Sequence, residues 1–193
     1  MRSWCAFVRG AWLAASISIL SCASSRAPIE TTESHLALEG EVTVDGSLFR
    51  KTASLADAGG TVCILRNPRL ELELLNLAGH RVRVVGRVTG KTPAGPEFWV
   101  DRYEMLPIDG LTPIVGVLEL HEGVPMLTAE PSGATYVLGG PLRDALKSFA
   151  GAKVWVSGRV HGDGERFGSG TPTFTVEGYG ILLPAPEATD AAP

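Results

Sequence analysis

Leu77-Ala78-Gly79-His80-Arg81-Val82-Arg83-Val84-Val85-Gly86-Arg87-Val88 occurs twice in this chain. It returns as Phe149-Ala150-Gly151-Ala152-Lys153-Val154-Trp155-Val156-Ser157-Gly158-Arg159-Val160. Each copy reads as a helix end, a glycine, and a strand with one interior glycine. Side chains alternate across a strand. Val82, Val84, Gly86 and Val88 therefore share one face, as do Val154, Val156, Gly158 and Val160. A glycine in line with inward valines lets a strand bend or approach another backbone closely, as a small closed sheet requires. The other face carries Arg81, Arg83 and Arg87 in one copy and Lys153, Trp155 and Arg159 in the other. The bland reading of that basic face is a solvated one that also guards against edge pairing.

The repeat extends outward in both directions. Before it, Leu38, Gly40, Val42 and Val44 alternate with Glu39, Glu41, Thr43 and Asp45, and Ile114, Gly116, Leu118 and Leu120 repeat the apolar set. Such alternation predicts a half-buried strand. Asp45-Gly46 and Glu122-Gly123 supply the following turns. Second strands are expected at Leu48–Ala53 and Pro125–Ala129, and third strands at Thr61–Leu65 and Ala134–Leu138. Asn67-Pro68 and Gly140-Pro141 then read as helix starts. Leu70, Leu74 and Leu77 lie on one helical face, matched by Leu142, Leu146 and Phe149. Gly79 and Gly151 stop the helices, since glycine accepts the left-handed conformation cheaply.

Fifth strands are expected at Phe98–Met105 and Phe174–Leu182. In both, the apolar parity switches after a valine: Phe98 and Val100, then Tyr103 and Met105; Phe174 and Val176, then Tyr179 and Ile181. The shared switch predicts a β-bulge in each copy.

The order strand, strand, strand, helix, strand, strand resembles the OB-fold, a five-stranded Greek-key barrel with a helix between strands three and four. The resemblance implies a mainly β chain of two tandem OB-like barrels, residues 36–108 and 112–184, joined by Leu106–Thr112. A different small barrel, or one two-sheet sandwich made of all ten strands, would also accommodate the pattern.

The N-terminus reads as an export signal. Arg2 and Arg9 flank a short positive region, and Ala11–Leu20 is an apolar run too short to span a bilayer as a helix. Ile19-Leu20-Ser21-Cys22 resembles the bacterial lipobox, with Ser21 in the small position and Ile19 in the branched one. The resemblance implies that residues 1–21 are removed and that Cys22 carries diacylglycerol. Two or three acyl chains anchor a protein stably where one does not. Ala23, rather than Asp, after the cysteine implies the periplasmic face of the outer membrane. The other reading is an ordinary cleaved signal with a chance cysteine. Residues 22–35 read as a flexible tether and 185–193 as a disordered, Pro/Ala-rich tail.

The chain of 193 residues is 45% hydrophobic and 20% charged, a globular balance, and its 23 glycines suit a turn-rich β protein. Loss of Arg2 and Arg9 with the signal takes two positive charges from the formal −4 and leaves the remainder near −6. Acidic chains bind nucleic acid poorly, so nucleic acid is not an expected partner. With Cys5 removed and Cys22 acylated, Cys63 stands alone between Val62 and Ile64 and is expected to act as a buried small hydrophobe.

His35, His80, His121 and His161 lack metal-ligand spacing, so no metal is expected. His161-Gly162-Asp163-Gly164-Glu165 lacks the full calcium-loop pattern and reads as a solvated turn. Nucleophile-elbow, phosphate-loop and dinucleotide fingerprints are missing, and neither a cofactor nor catalysis is expected. Trp99 and Trp155 are read first as barrel-to-barrel packing, with an exposed partner interface as the sharper option. The residues expected at a ligand or partner contact are Phe49, Arg50, Lys51, Trp99, Tyr136, Trp155, His161 and Phe167. The expected function is a lipid-anchored binding or scaffold module whose partner is an envelope protein. A glycan or small ligand, or an enzyme with an unrecognised site, are the alternatives.

Overall fold

The computed structural model describes residues 35–47, 50–161 and 170–186. The signal, Cys22, the tether before His35, Phe49, Phe167, the loop 162–169 and the tail from 187 lie outside the described residues.

The chain is mainly β. The first five strands are β1 (Leu36–Ser47), β2 (Arg50–Asp57), β3 (Gly60–Arg66), β4 (Arg81–Thr92) and β5 (Gly95–Met105), with the short helix α1 (Glu71–Asn76) before β4. The second five are β6 (Ile114–His121), β7 (Val124–Ala129), β8 (Thr135–Gly139), β9 (Lys153–His161) and β10 (Thr173–Leu183). Helix α2 (Arg143–Leu146) precedes β9 and tightens into a 3-10 turn at Lys147–Phe149. Each set of five closes on itself, in the orders β1-β2-β3-β5-β4 and β10-β8-β7-β6-β9. The β3–β5 and β8–β10 pairs are parallel and the other pairs antiparallel. Two closed sheets overturn the alternative of one ten-stranded sandwich. They also remove the edge along most of β4, which pairs with β1 as far as Gly86 and with β5.

Closure explains the strand glycines. A Cβ at Gly86 would collide with the Trp99 carbonyl oxygen and stand 3.0 Å from the Phe98 ring. At Gly158 the same atom would collide with the Thr175 carbonyl oxygen and stand 2.9 Å from the Phe174 ring. Both glycines sit beside a bulge. Val85 lies opposite Arg102 and Gly86 opposite Val100, which leaves Asp101 as the extra residue. Ser157 lies opposite Gly178 and Gly158 opposite Val176, which leaves Glu177. Each extra carboxylate reaches back to β4 or β9: Arg87 Nη1 lies 3.9 Å from Asp101 and Arg159 Nε 3.2 Å from Glu177. The parity switch is thus the trace of a bulge that re-aims the second half of each fifth strand.

The inward sets bury as read, with limits. Val42, Leu55, Val82, Val84, Phe98 and Val100 fill one barrel and Leu118, Leu127, Val154, Val156, Phe174 and Val176 the other. Val88 and Val160, expected inward, are 54% and 53% exposed, because β4 and β9 run on past the barrel wall. Leu120, near the end of β6, is exposed for the same reason. Glu122-Gly123 forms the expected turn with positive φ at both residues (54° and 76°). Asp45-Gly46 does not turn: both stay in the β1 ladder, opposite Thr52 and Lys51. There Gly46 instead lets β2 come close, since a Cβ would meet the Arg50 carbonyl.

The helices start later than the capping signals predict. Asn67 Oδ1 accepts a hydrogen bond from the Arg69 N–H (2.9 Å), and the Leu70 N–H bonds to the Asn67 carbonyl (3.0 Å). Asn67-Pro68 therefore closes a turn of its own, an Asx side chain competing with the helix, and α1 begins only at Glu71. In the second copy the Arg143 N–H bonds to the Gly140 carbonyl and α2 begins at Arg143. Gly79 (φ 81°) and Gly151 (φ 85°) end the two segments as expected. Their N–H groups then bond to the equivalent carbonyls of Val42 (2.8 Å) and Leu118 (2.7 Å).

The barrels pack head to tail. The α1 end of barrel one sits on the β9–β10 side of barrel two. Trp155 lies across Gly180, which has no Cβ to obstruct the indole, and is only 8% exposed. The His80 ring meets it edge-on at 4.9 Å, and Trp155 and Leu182 join the buried apolar cluster of barrel one. Trp155 thus packs barrel against barrel. The matching face of barrel one carries charge instead: Arg83 binds Glu39 (2.6 Å) and approaches Glu104 (3.8 Å). A head-to-tail contact propagates unless its free end differs. Here Glu39, Arg83 and Glu104 stand where barrel two has Val115, Trp155 and Gly180.

Candidate binding groove and the joint beside it

An open groove of about 520 Å³ lies on barrel one. It is formed by β2, β3, the Asn67-Pro68 turn, α1 and the outer ends of β4 and β5. Trp99, Leu65 and Leu74 give it apolar walls, and Arg66, Asn67 and Glu97 line it with polar groups. Arg66 Nε and Nη2 each stand 3.0 Å from Glu97 Oε1 across the parallel β3–β5 pair. Asn67 Nδ2 donates to the Val100 carbonyl (2.8 Å), which fixes the turn to β5. A second hollow, lined by Asn67, Pro68, Arg69, Trp99 and Asp101, shares the tryptophan. The polar groups of the groove are thus held in place by one another, in front of a large aromatic surface. The hollow thus combines one broad aromatic face with fixed polar groups, the lining usual in small-molecule and peptide sites.

The two copies provide an internal comparison. Where barrel one has Arg66 opposite Trp99, barrel two has Gly139 opposite Thr175. Where barrel one has Glu97 and Asn67, barrel two has Thr173 and Gly140. Both sheets close, so closure does not call for the bulky and charged set. The bulge ion pair, by contrast, is present in both barrels and reads as architecture.

Beside the groove lies a buried polar joint. Glu73 of α1 is 4% exposed. Its carboxylate accepts from the Tyr103 hydroxyl (2.5 Å) and meets Lys153 Nζ of barrel two at 2.9 Å. Lys153 also binds Glu130 at 2.8 Å. Burial pulls the Lys153 pKa down, but the hydrogen bonds to Glu130 and Glu73 and the charges of both carboxylates outweigh it and leave it raised. Burial first, and then Glu73, pushes the Tyr103 phenol far up, so it stays a donor. Asn76 Nδ2 adds a bond to the Leu182 carbonyl (2.9 Å).

The expected contact residues scatter. Arg50 and Lys51 are exposed at the start of β2, and His161 is exposed at the end of β9. Tyr136 is half-buried against the core of barrel two, its ring edge-on to Phe174 at 6.1 Å. Trp99 does not pack between the barrels as first read; β5 and the 67–70 turn place it in the groove instead. Glu73, Tyr103, Glu97 and Glu130 were missed. One signal was available for Glu73: it follows Leu70 by three and precedes Leu77 by four, an acid within an apolar stripe, where the second copy has Ala145.

Cys63 is buried and free, its thiol pushed up to about 11 by burial, which keeps it protonated and inert. Among the described residues no helix is long and apolar enough to cross a membrane. Comparison with protein-family models matched no family, and none of the curated proteins matched the chain.

Proposed function

We propose that the chain is an exported lipoprotein, held at the membrane through acylated Cys22, whose two OB-like barrels form a binding module for a component of the cell envelope. The closed strand order with a parallel third–fifth pair in each copy supports the OB-like reading. The observation that carries binding is the groove: Trp99, Arg66 and Glu97 occupy positions that the second barrel fills with Thr175, Gly139 and Thr173. Side chains that the architecture does not need, gathered around one hollow, are what recognition needs. An envelope protein segment is the first ligand class. A glycan or small ligand is the second, favoured by the modest groove volume of about 520 Å³.

Substituting Trp99 with the second barrel's own residue tests this. Full-length wild type and Trp99→Thr would be cross-linked in envelopes and captured. Wild type is expected to retain a reproducible component that Trp99→Thr loses while unfolding at the wild-type temperature. A protease-sensitive component identifies the first class and a periodate-sensitive one the second. Equal capture by both proteins would remove the groove from the proposal. The anchor is tested separately: Cys22→Ala is expected to leave the membrane fraction, and a variant that still sediments like wild type would refute lipidation.

A further inference from the structure

We propose that Glu73 and Lys153 are positioning residues for the groove: barrel two holds the helix that walls the groove of barrel one. This rests on the reading of the groove as the binding site, but its test needs no ligand and can fail on its own.

Helix α1 has six residues, and no side chain caps its N-terminus at Leu70. So short a helix has little stability of its own, because nucleation is costly and few hydrogen bonds offset it. Its position is set by what it touches. Glu71 and Leu74 line the groove. Glu73 and Asn76 grip barrel two through Lys153 (2.9 Å) and the Leu182 carbonyl (2.9 Å). Leu74 also belongs to the same buried cluster as Trp155 and Leu182, so the packing is continuous from the groove wall into the second barrel.

The second barrel supplies the comparison. Its equivalent segment carries Ala145 and Ser148 in place of Glu73 and Asn76, shortens to four helical residues and a 3-10 turn, and lies beside Gly139 and Gly140 rather than Arg66 and Asn67. The gripping side chains and the polar groove side chains occur together in one copy, and the second copy has smaller or uncharged residues at both sets of positions. A site whose wall is fixed before the ligand arrives loses less entropy on binding, which gives the buried ion pair a role in recognition as well as in stability.

The full-length chain labelled with fluorinated tryptophan would be observed by fluorine NMR, with the Trp99 resonance assigned through Trp99→Phe. Lys153→Met is expected to shift or broaden that resonance, although Lys153 belongs to the other barrel, and Lys153→Arg to restore it. Glu73→Gln, which keeps an acceptor for Tyr103, is expected to perturb it in the same direction. Lys147→Ala removes the Asp144 ion pair of α2 (2.6 Å) and is expected to leave Trp99 untouched. If Trp155 responds to Lys153→Met and Glu73→Gln while Trp99 stays at its wild-type position, the joint does not position the groove and the proposal is overturned.

Discussion

Gly86→Ala is expected to unfold barrel one. The added methyl would collide with a backbone oxygen, that of Trp99, and would press at 3.0 Å on the Phe98 ring, which is itself fully buried. A flexible side chain can move away; the β4–β5 ladder cannot without breaking the pairing that closes the sheet. Losses above about 4 kcal/mol come from a short set of mechanisms, and forced core and backbone displacement is among them. Whole domains are stable by only about 5–15 kcal/mol, so such a loss leaves little. Gly158→Ala is expected to do the same to barrel two. Gly139→Ala is the control: its Cβ would meet the Thr173 methyl at an ordinary 3.5 Å, and the change is expected to stay within about 1 kcal/mol. Urea titrations of the three variants decide it. A Gly86→Ala protein as stable as Gly139→Ala would mean that close strand approach at Gly86 does not hold the barrel closed.

Lys153→Met is expected to cost about 3–5 kcal/mol, because it leaves the Glu73 carboxylate buried without its cation. Both side chains are largely shielded, at 18% and 5% exposure, so solvent does little to soften the loss. The decisive variant is the double one. Lys153→Met with Glu73→Gln removes the stranded charge and keeps an acceptor for the Tyr103 hydroxyl. It is expected to recover most of the stability, since exchanging a buried pair for uncharged groups is often close to neutral. Additive losses in the double variant would show that Glu73 is not left stranded by the first change.

The same joint predicts a direction for pH. Cys63, Tyr103 and Lys153 all hold their protons more tightly in the folded chain than at their ordinary values of 9.0, 10.0 and 10.5. Above those values the unfolded chain has released protons that the folded chain still keeps. Stability is therefore full below about pH 9 and falls as the pH rises through the alkaline range. Thermal midpoints are expected to drop between about pH 9 and about pH 11, and Lys153→Met is expected to flatten the drop by removing one of the three groups. An alkaline profile with the wild-type slope in Lys153→Met would separate Lys153 from that loss.

Much of the fold was legible because its causes are local. Two copies of one strand with a glycine in line with valines announced two similar sheets. The parity switch at Val100 and Val176 placed both bulges, since a single extra residue must reverse the facing of everything after it. Glu122-Gly123 marked its turn because a polar residue and a glycine separate two alternating runs; the tight hairpin then holds even Glu122 at positive φ. Local reading failed where two local causes compete. Asn67 serves a turn rather than a helix cap, and Gly46 serves a close approach rather than a reversal.

The remaining features depend on contacts between distant segments. Val88 and Val160 match the inward pattern yet face water, because alternation states a side and not where the barrel wall ends. Trp99 and Trp155 look alike in the sequence. One reaches the groove and the other is sealed between barrels, a difference set by the head-to-tail packing. The groove draws on four strands, a turn and a helix, and the joint unites Glu73 with Lys153 across 80 positions of chain. Residues that distant meet only because each sheet closes and the two barrels then pack, and no periodicity within either copy encodes that meeting. Local patterns in the chain encode the repeated unit, its alternation and its bulges; the packing of one unit on the other sets which charges are buried and which tryptophan lies beside the open groove of barrel one.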